Sequence, residues 1–365
     1  MLAVALVLGM GLPGAELMLR WREAALRASD RPDPGMIQYD PQWGWRLTPG
    51  WTGAHHHRDF ALRYRINERG FRYDPAQPKQ RRGRVVAVVG DSFAFGLGVN
   101  DEETFTSLLN RRGSNTFLNL SVPGYSTDQE ALLIEAALPE YRPDDLWLMV
   151  YVGNDLLDNQ FARPLQFHAA KPRFERGPAG LVLQNVPAPS ATPALREPPP
   201  DLETAVLGEE AVRADWGVRL ARRWALARLL RSQFARRTDY RARLEAHLRP
   251  ATELFADLLA RIRESTRRAG IELRVFVLAG RSFVEEPGSL SAQYQQFFAE
   301  SVLQACRAQA VPAYHVATEL AAEFQRRGER LYHPHDGHLN RRGHEVVCRT
   351  VAEVLATAHA AVSTP

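Results

Sequence analysis

Three side-chain types that together can run acyl chemistry stand apart in this sequence. Ser92 follows a run of valines, and Asp336 and His338 lie near the end of the chain. A serine hydroxyl attacks well only when an imidazole takes its proton, and the imidazole works best when a carboxylate fixes its tautomer. Gly90-Asp91-Ser92-Phe93 follows Val85–Val89, so the serine is expected at the carboxyl end of a buried strand, with its hydroxyl at the sheet edge and its N–H free for an oxyanion. Taken alone, Asp-Ser at such a point is also an ordinary turn cap.

Two familiar motifs are excluded nearby. Ala94 stands where a Gly-x-Ser-x-Gly elbow needs its second glycine. Gly96-x-Gly98 meets Asp101 at the third glycine position of a dinucleotide fingerprint. His333, His335, His338 and His344 with Asp336 have no recognised metal-ligand spacing, and the triple His55–His57 reads as part of a polar loop. Neither a metal nor a cofactor is expected.

The elements that must carry these residues alternate strand and helix. Val85–Val89, Thr116–Leu120, Asp145–Val152, Ile271–Leu278 and Pro312–Val316 read as strands. Glu102–Arg112, Asp128–Leu138, Thr252–Arg268, Ala292–Ala308 and Arg341–Ala360 read as helices. This pattern predicts an α/β three-layer sandwich with a central, mostly parallel sheet. Residues 156–250 break the rhythm with a proline-rich part and then an arginine-rich helical part, and are read as an insertion beside the strand ends where ligands bind. Residues 24–83 read as a polar linker, Ala24–Pro34, followed by a small strand-rich segment containing Trp43, Trp45, Phe60 and Tyr64. The main domain is expected over 84–365.

Against that frame the blocks around Ser92 become specific. Gly90-Asp91-Ser92-Phe93, Asn119-Leu-Ser-Val-Pro-Gly124-Tyr, Val152-Gly153-Asn154-Asp155 and Asp336-Gly-His338-Leu-Asn340 occur in order, each after its strand. They resemble the four blocks of the SGNH/GDSL hydrolase superfamily. The resemblance implies Ser92 as nucleophile, His338 as base and Asp336 as its partner. It also implies an oxyanion hole formed by the Ser92 and Gly124 N–H groups and the Asn154 amide. Two departures stand out: Val152 replaces the first glycine of the third block, and the Asp–His spacing is two where the family usually has three, the position three before His338 being His335. Asp91 and Asp155 are expected to brace these loops. Asp40-Pro-Gln-Trp-Gly-Trp45 and Asn67-Glu-Arg-Gly-Phe71-Arg resemble bacterial members with a single N-terminal membrane segment.

The implied activity is cleavage or transfer of an ester-linked acyl group through Ser92, on a small-molecule or polysaccharide acyl ester. The competing class is a membrane-tethered binding module that kept the fold and lost the chemistry.

Bulk properties fit an enzyme of ordinary composition: 365 residues, 45% hydrophobic and 24% charged, with a net charge of +4. Almost all the basic residues are arginine, without the aromatic interleaving of a nucleic-acid surface, so no nucleic-acid partner is expected. Two cysteines, Cys306 and Cys348, cannot build a disulfide framework. Met1–Ala15 carries no charged side chain, Glu16 interrupts, and Leu17-Met-Leu19 resumes the apolar run. Residues 1–23 are therefore expected to be a membrane anchor or uncleaved signal, with the catalytic domain outside the cytoplasm; the other reading is a buried core helix.

Overall fold

The structure is a computed structural model that describes residues 12–167, 169–190, 201–227 and 238–362. The first part of the apolar start (1–11) and the prolines at 193 and 198–200 lie outside the described residues. The N-terminal helix, α1 (Leu12–Ser29), continues six residues past Glu23, through the stretch expected to begin a linker. Among the described residues no helix is long and apolar enough to cross a membrane.

The strand-rich segment that follows comprises β1 (Arg31–Pro32), β2 (Ile37–Asp40), β3 (Gly44–Leu47), β4 (Thr52–His57) and β5 (Phe60–Arg65). β4 and β5 form an antiparallel hairpin with β1 on its edge, and β2 pairs with β3. His55–His57 lies on β4, not in a loop, and buried His55 meets the Tyr64 hydroxyl of the neighbouring strand. Arg72 anchors this segment. Its buried guanidinium donates to Asp101 and to the carbonyls of Gly96 and Val99, while it lies over the Tyr64 and Phe95 rings.

The centre is a five-stranded parallel sheet of β6 (Val85–Gly90), β7 (Thr116–Asn119), β8 (Asp145–Tyr151), β11 (Glu272–Leu278) and β12 (Ala313–Tyr314), in the order β12-β11-β8-β6-β7. Burial on both faces explains the near-continuous apolar strands. Ala87, Val89, Leu146, Leu148, Val275 and Val277 join one core cluster, while Val86, Val88, Trp147, Met149 and Phe276 join the other. Helices α4 (Thr127–Tyr141), α9 (Arg241–Ala269) and α11 (Leu290–Ala308) contribute to the first core. Helices α3 (Phe105–Arg112), α12 (Val316–Arg327) and α13 (Arg341–Val362) contribute to the second. The result is three layers.

Three elements depart from the sequence reading. The proline-rich stretch contains an antiparallel hairpin, β9 (Arg173–Gly177) and β10 (Gly180–Gln184), whose Phe174 packs on Leu254 and Leu258. Helix α9 begins at Arg241 and runs through Pro250. Buried Leu244, Leu248, Ala251 and Phe255 recur at helical spacing across the proline, so packing overrides the local break. Finally, α12 occupies a stretch with no predicted element, and the strand before it is only Ala313–Tyr314.

Candidate active site

The chain leaves β6, adds β7 on one side and then β8 on the other. Ser92 therefore stands at the point where the strand order reverses, where the carboxyl ends of an open α/β sheet part and ligands bind. Ser92 opens a four-residue helix, α2 (Ser92–Phe95), capped by Asp91, whose Oδ1 accepts from the Phe93 N–H at 2.8 Å. At this first helical position the Ser92 N–H has no carbonyl one turn earlier to receive it.

His338 reaches Ser92 from the far end of the chain. Its Nε2 lies 2.8 Å from Ser92 Oγ, and its Nδ1 lies 2.8 Å from Asp336 Oδ1. The short Asp–His spacing works because the carboxylate curls back over its own turn: Asp336 Oδ1 also accepts from the His338 N–H at 3.0 Å. Gly337, at φ +90°, supplies the left-handed residue that reverses the chain between the two. Burial alone would lower the His338 pKa, yet the charge and hydrogen bond of Asp336 outweigh it and hold the imidazole above its usual range. Burial likewise opposes ionisation of Asp336, but His338 overcomes it and keeps the carboxyl far below the carboxylate range.

The rival third member is placed elsewhere. His335 gives its Nδ1 side to Asp59 Oδ1 at 2.6 Å, away from His338. Asp59 Oδ2 accepts from the backbone N–H groups of both His335 and Asp336, at 2.7 and 2.9 Å. A carboxylate in the tight β4–β5 turn thus holds the turn that carries Asp336. Sequence reasoning did not find Asp59; its partners are 276 and 277 residues away, and an Asp in a hairpin turn is ordinary turn chemistry. The remaining histidines have protein partners: His333 Nε2 meets the Gly98 carbonyl, and buried His344 accepts from the Phe105 N–H. Among the described residues no group of three or more ligating side chains is arranged to hold a metal ion.

The loops after β7 and β8 carry the other expected residues. Gly124 has φ +81°, and a Cβ there would come within 3.0 Å of the Phe167 ring and 3.3 Å of Trp45. Glycine is therefore required twice over, by conformation and by space. Trp45 brackets this turn. Its Nε1–H donates to the Pro123 carbonyl at 3.0 Å, its own carbonyl accepts from the Tyr125 hydroxyl at 2.7 Å, and its ring stacks on half-buried Phe167 with centroids 4.2 Å apart. Asn154 is buried just beyond β8, and its Nδ2 donates one hydrogen to Asp158 at 3.3 Å.

Beneath Ser92 lies a set of buried carboxyls. Asp91 is pushed up to about 6, chiefly by burial, and Asp158 likewise to about 6. Both Glu130 and Asp155 are raised well above the carboxylate range, first by burial, then Glu130 by the charge of Asp91 and Asp155 by that of Glu130. Asp155 Oδ2 accepts from the Tyr151 N–H at 2.7 Å and so braces the end of β8.

No protein-family model matches the chain, and no curated protein matches it. Solved structures similar to it include the psychrotrophic esterase EstA from Pseudoalteromonas sp., at 10% identity and TM-score 0.39, covering 75% of this chain and 97% of that one. A member of the lipolytic protein G-D-S-L family from Veillonella parvula is 11% identical, with TM-score 0.41 and coverage of 74% and 98%. Axe2, an acetylxylan esterase from Geobacillus stearothermophilus, is 9% identical, with TM-score 0.40 and coverage of 76% and 95%.

Proposed function

We propose that this protein is a serine-dependent ester hydrolase or acyl transferase working through an acyl-enzyme at Ser92. The observation that carries the proposal is the unbroken relay Ser92–His338–Asp336, with both links at 2.8 Å. Such a relay has a plain chemical use. His338 Nε2 takes the hydroxyl proton as Ser92 Oγ attacks the ester carbonyl, then returns it to the departing alkoxide oxygen as the carbon–oxygen bond breaks. Asp336 keeps the other proton on Nδ1 and stabilises the imidazolium. The Ser92 N–H, the Gly124 N–H and the Asn154 amide receive the negative charge on the tetrahedral oxygen. Water, or a sugar hydroxyl, then attacks the acyl-enzyme by the same steps in reverse, so hydrolysis and transfer share every residue.

The substrate class we assign is a small-molecule or polysaccharide acyl ester. The half-buried Phe167 ring beside Gly124 supports it, since a flat aromatic surface suits the apolar face of a sugar ring. The charge-free stretch Met1–Ala15 supports a membrane tether in residues 1–23, with the catalytic domain outside the cytoplasm. Full-length chain recovered wholly in the soluble fraction with its N-terminus intact would overturn the tether.

The direct test is covalent. A fluorophosphonate should label the protein at Ser92, and Ser92→Ala should lose the label while keeping the wild-type circular dichroism and melting temperature. A label at another residue, or undiminished labelling of the variant, would remove Ser92 from the reaction.

A further inference from the structure

The described surface is unevenly apolar. Its three strongly exposed tryptophans, Trp21, Trp216 and Trp224, all belong to α1 or to the short helix α8 (Trp216–Arg223) and its cap. Leu17 and Met18 of α1 and Leu220 of α8 are exposed beside them in sequence. α8 is sharply two-sided: Val218 and Ala221 are buried while Trp216, Leu220 and Trp224 face out.

These two surfaces are fixed to each other. Glu16, the residue that interrupts the apolar start of the chain, is buried, and its carboxylate accepts from the N–H groups of Ala225 and Leu226, both at 2.9 Å. Arg20, held by Glu16, donates to the Arg223 carbonyl at 2.6 Å. The insertion is thereby clasped to the helix that leads out of residues 1–11, a stretch without a single charge.

The charge of this face is one-sided as well. From Trp216 to Ala227 the chain carries Arg219, Arg222 and Arg223 and no acidic residue; Arg222 is paired with Asp201, which leaves Arg219 and Arg223 to set the charge of the face. Exposed tryptophan and leucine set beside Arg219 and Arg223 are the composition of an element that lies in a bilayer interface: the rings sit at headgroup depth and the guanidinium groups meet anionic headgroups.

We propose that α8 and the exposed edge of α1 form a second membrane contact, which lays the insertion flat on an anionic bilayer surface. The proposal extends the tether read in residues 1–23, and the two can be told apart. A bare tether would hold the domain on a leash of α1; this surface would fix its height and orientation above the lipid. The clasp through Glu16 gives that buried carboxylate a role that a simple spanning helix does not.

The experiment uses the full chain with an environment-sensitive fluorophore on Leu220→Cys, and, as a control, on exposed Arg268→Cys. Cys306 and Cys348 are buried, so labelling can be directed to the new thiol. On vesicles containing about one-third anionic lipid, the label at 220 should shift to the blue and be quenched by lipid-borne quenchers, while the label at 268 does neither. Arg219→Gln with Arg223→Gln should weaken that shift by roughly thirtyfold in lipid concentration, two interfacial charges at about fivefold each. Raised salt should weaken it too, because surface charges are screened within about 8 Å at physiological ionic strength. Chain that sediments with vesicles while the label at 220 stays in water would overturn this proposal and leave the tether standing. A shift of equal size on zwitterionic vesicles would overturn it, as would a shift that follows protein concentration without lipid, which marks a contact between copies. Turnover of a soluble activated ester by the arginine variant should remain at the wild-type value, which shows that the fold is intact.

Discussion

Two carboxyls approach the same imidazole under opposite conditions. Asp336 lies in a partly exposed turn, pairs with His338 Nδ1 and is held ionised well below the ordinary range. Asp91, one residue before Ser92, is fully buried, and burial pushes it up to about 6. Being near a histidine therefore does not decide a carboxyl's charge; direct pairing and access to water do. One side of the site is a completed relay, and the other is a shelf of buried carboxyls whose Asp91 caps the serine turn.

The contrast breaks hardest at the relay. Asp336→Asn keeps shape but removes the charge and the fixed tautomer, and should lower turnover of an activated ester by up to about 10⁴-fold. His335→Gln, whose ring faces Asp59, should stay within roughly tenfold, about 1.4 kcal/mol of barrier. Side-by-side steady-state kinetics decide the matter: a crippled His335→Gln with an active Asp336→Asn would reverse the assignment. On the oxyanion side, Asn154→Ala removes one donor and should cost about 10² to 10³ in kcat with little change in KM. An unchanged kcat would leave the hole to the two backbone N–H groups.

The two halves of this comparison were unequally legible in the sequence. The strands of the central sheet stand out because burial on both faces enforces short apolar runs, and Ser92, Gly124, Asn154 and His338 each follow such a run or end the chain in a motif. What makes Asp336 usable did not show. Its two-residue spacing needs the reversal at Gly337 and the clamp from Asp59, and a contact over 277 residues leaves no local pattern. Trp45 was visible as an aromatic in a strand-rich segment and as part of Asp40-Pro-Gln-Trp-Gly-Trp45, but not as the residue that brackets the Gly124 turn by two hydrogen bonds. Burial of the shelf, likewise, follows from tertiary packing of α4 and α5 (Asp155–Asp158), where Asp128, Glu130, Asp155 and Asp158 are buried although acidic side chains ordinarily face water.

Asp59 offers a test between relay and support. Asp59→Ala would leave the N–H groups of His335 and Asp336 without their acceptor, costing about 1–3 kcal/mol of stability. As a positioning residue it should lower kcat by roughly tenfold and slow fluorophosphonate labelling while KM holds, since it acts only through the placement of Asp336. Asp59→Asn, which keeps an acceptor oxygen, should recover part of both losses. A melting temperature that falls with no change in kcat or labelling rate would make Asp59 structural only.

The smallest effect concerns the shelf itself. The unfolded chain releases the Asp91 proton near the ordinary 3.8, whereas the folded protein holds it to about 6 because burial disfavours the anion. The folded state thus binds more protons between these values. The stability that this group lends is full below about pH 4 and is lost as pH rises through about 6. Asp91→Asn is neutral throughout and keeps an oxygen to accept from the Phe93 N–H, so its stability should fall less than that of the wild type between pH 4 and 7, by at most about 3 kcal/mol. Removing the Asp91 negative charge should also move the acidic limb of kcat/KM down by a few tenths of a pH unit, because Asp91 is among the groups that raise the His338 imidazole. Melting temperature and kcat/KM measured from pH 4 to 8 for both proteins provide the check. If the two stability curves run parallel across that range, Asp91 is ionised in the folded protein at pH 4 already, and burial does not raise it.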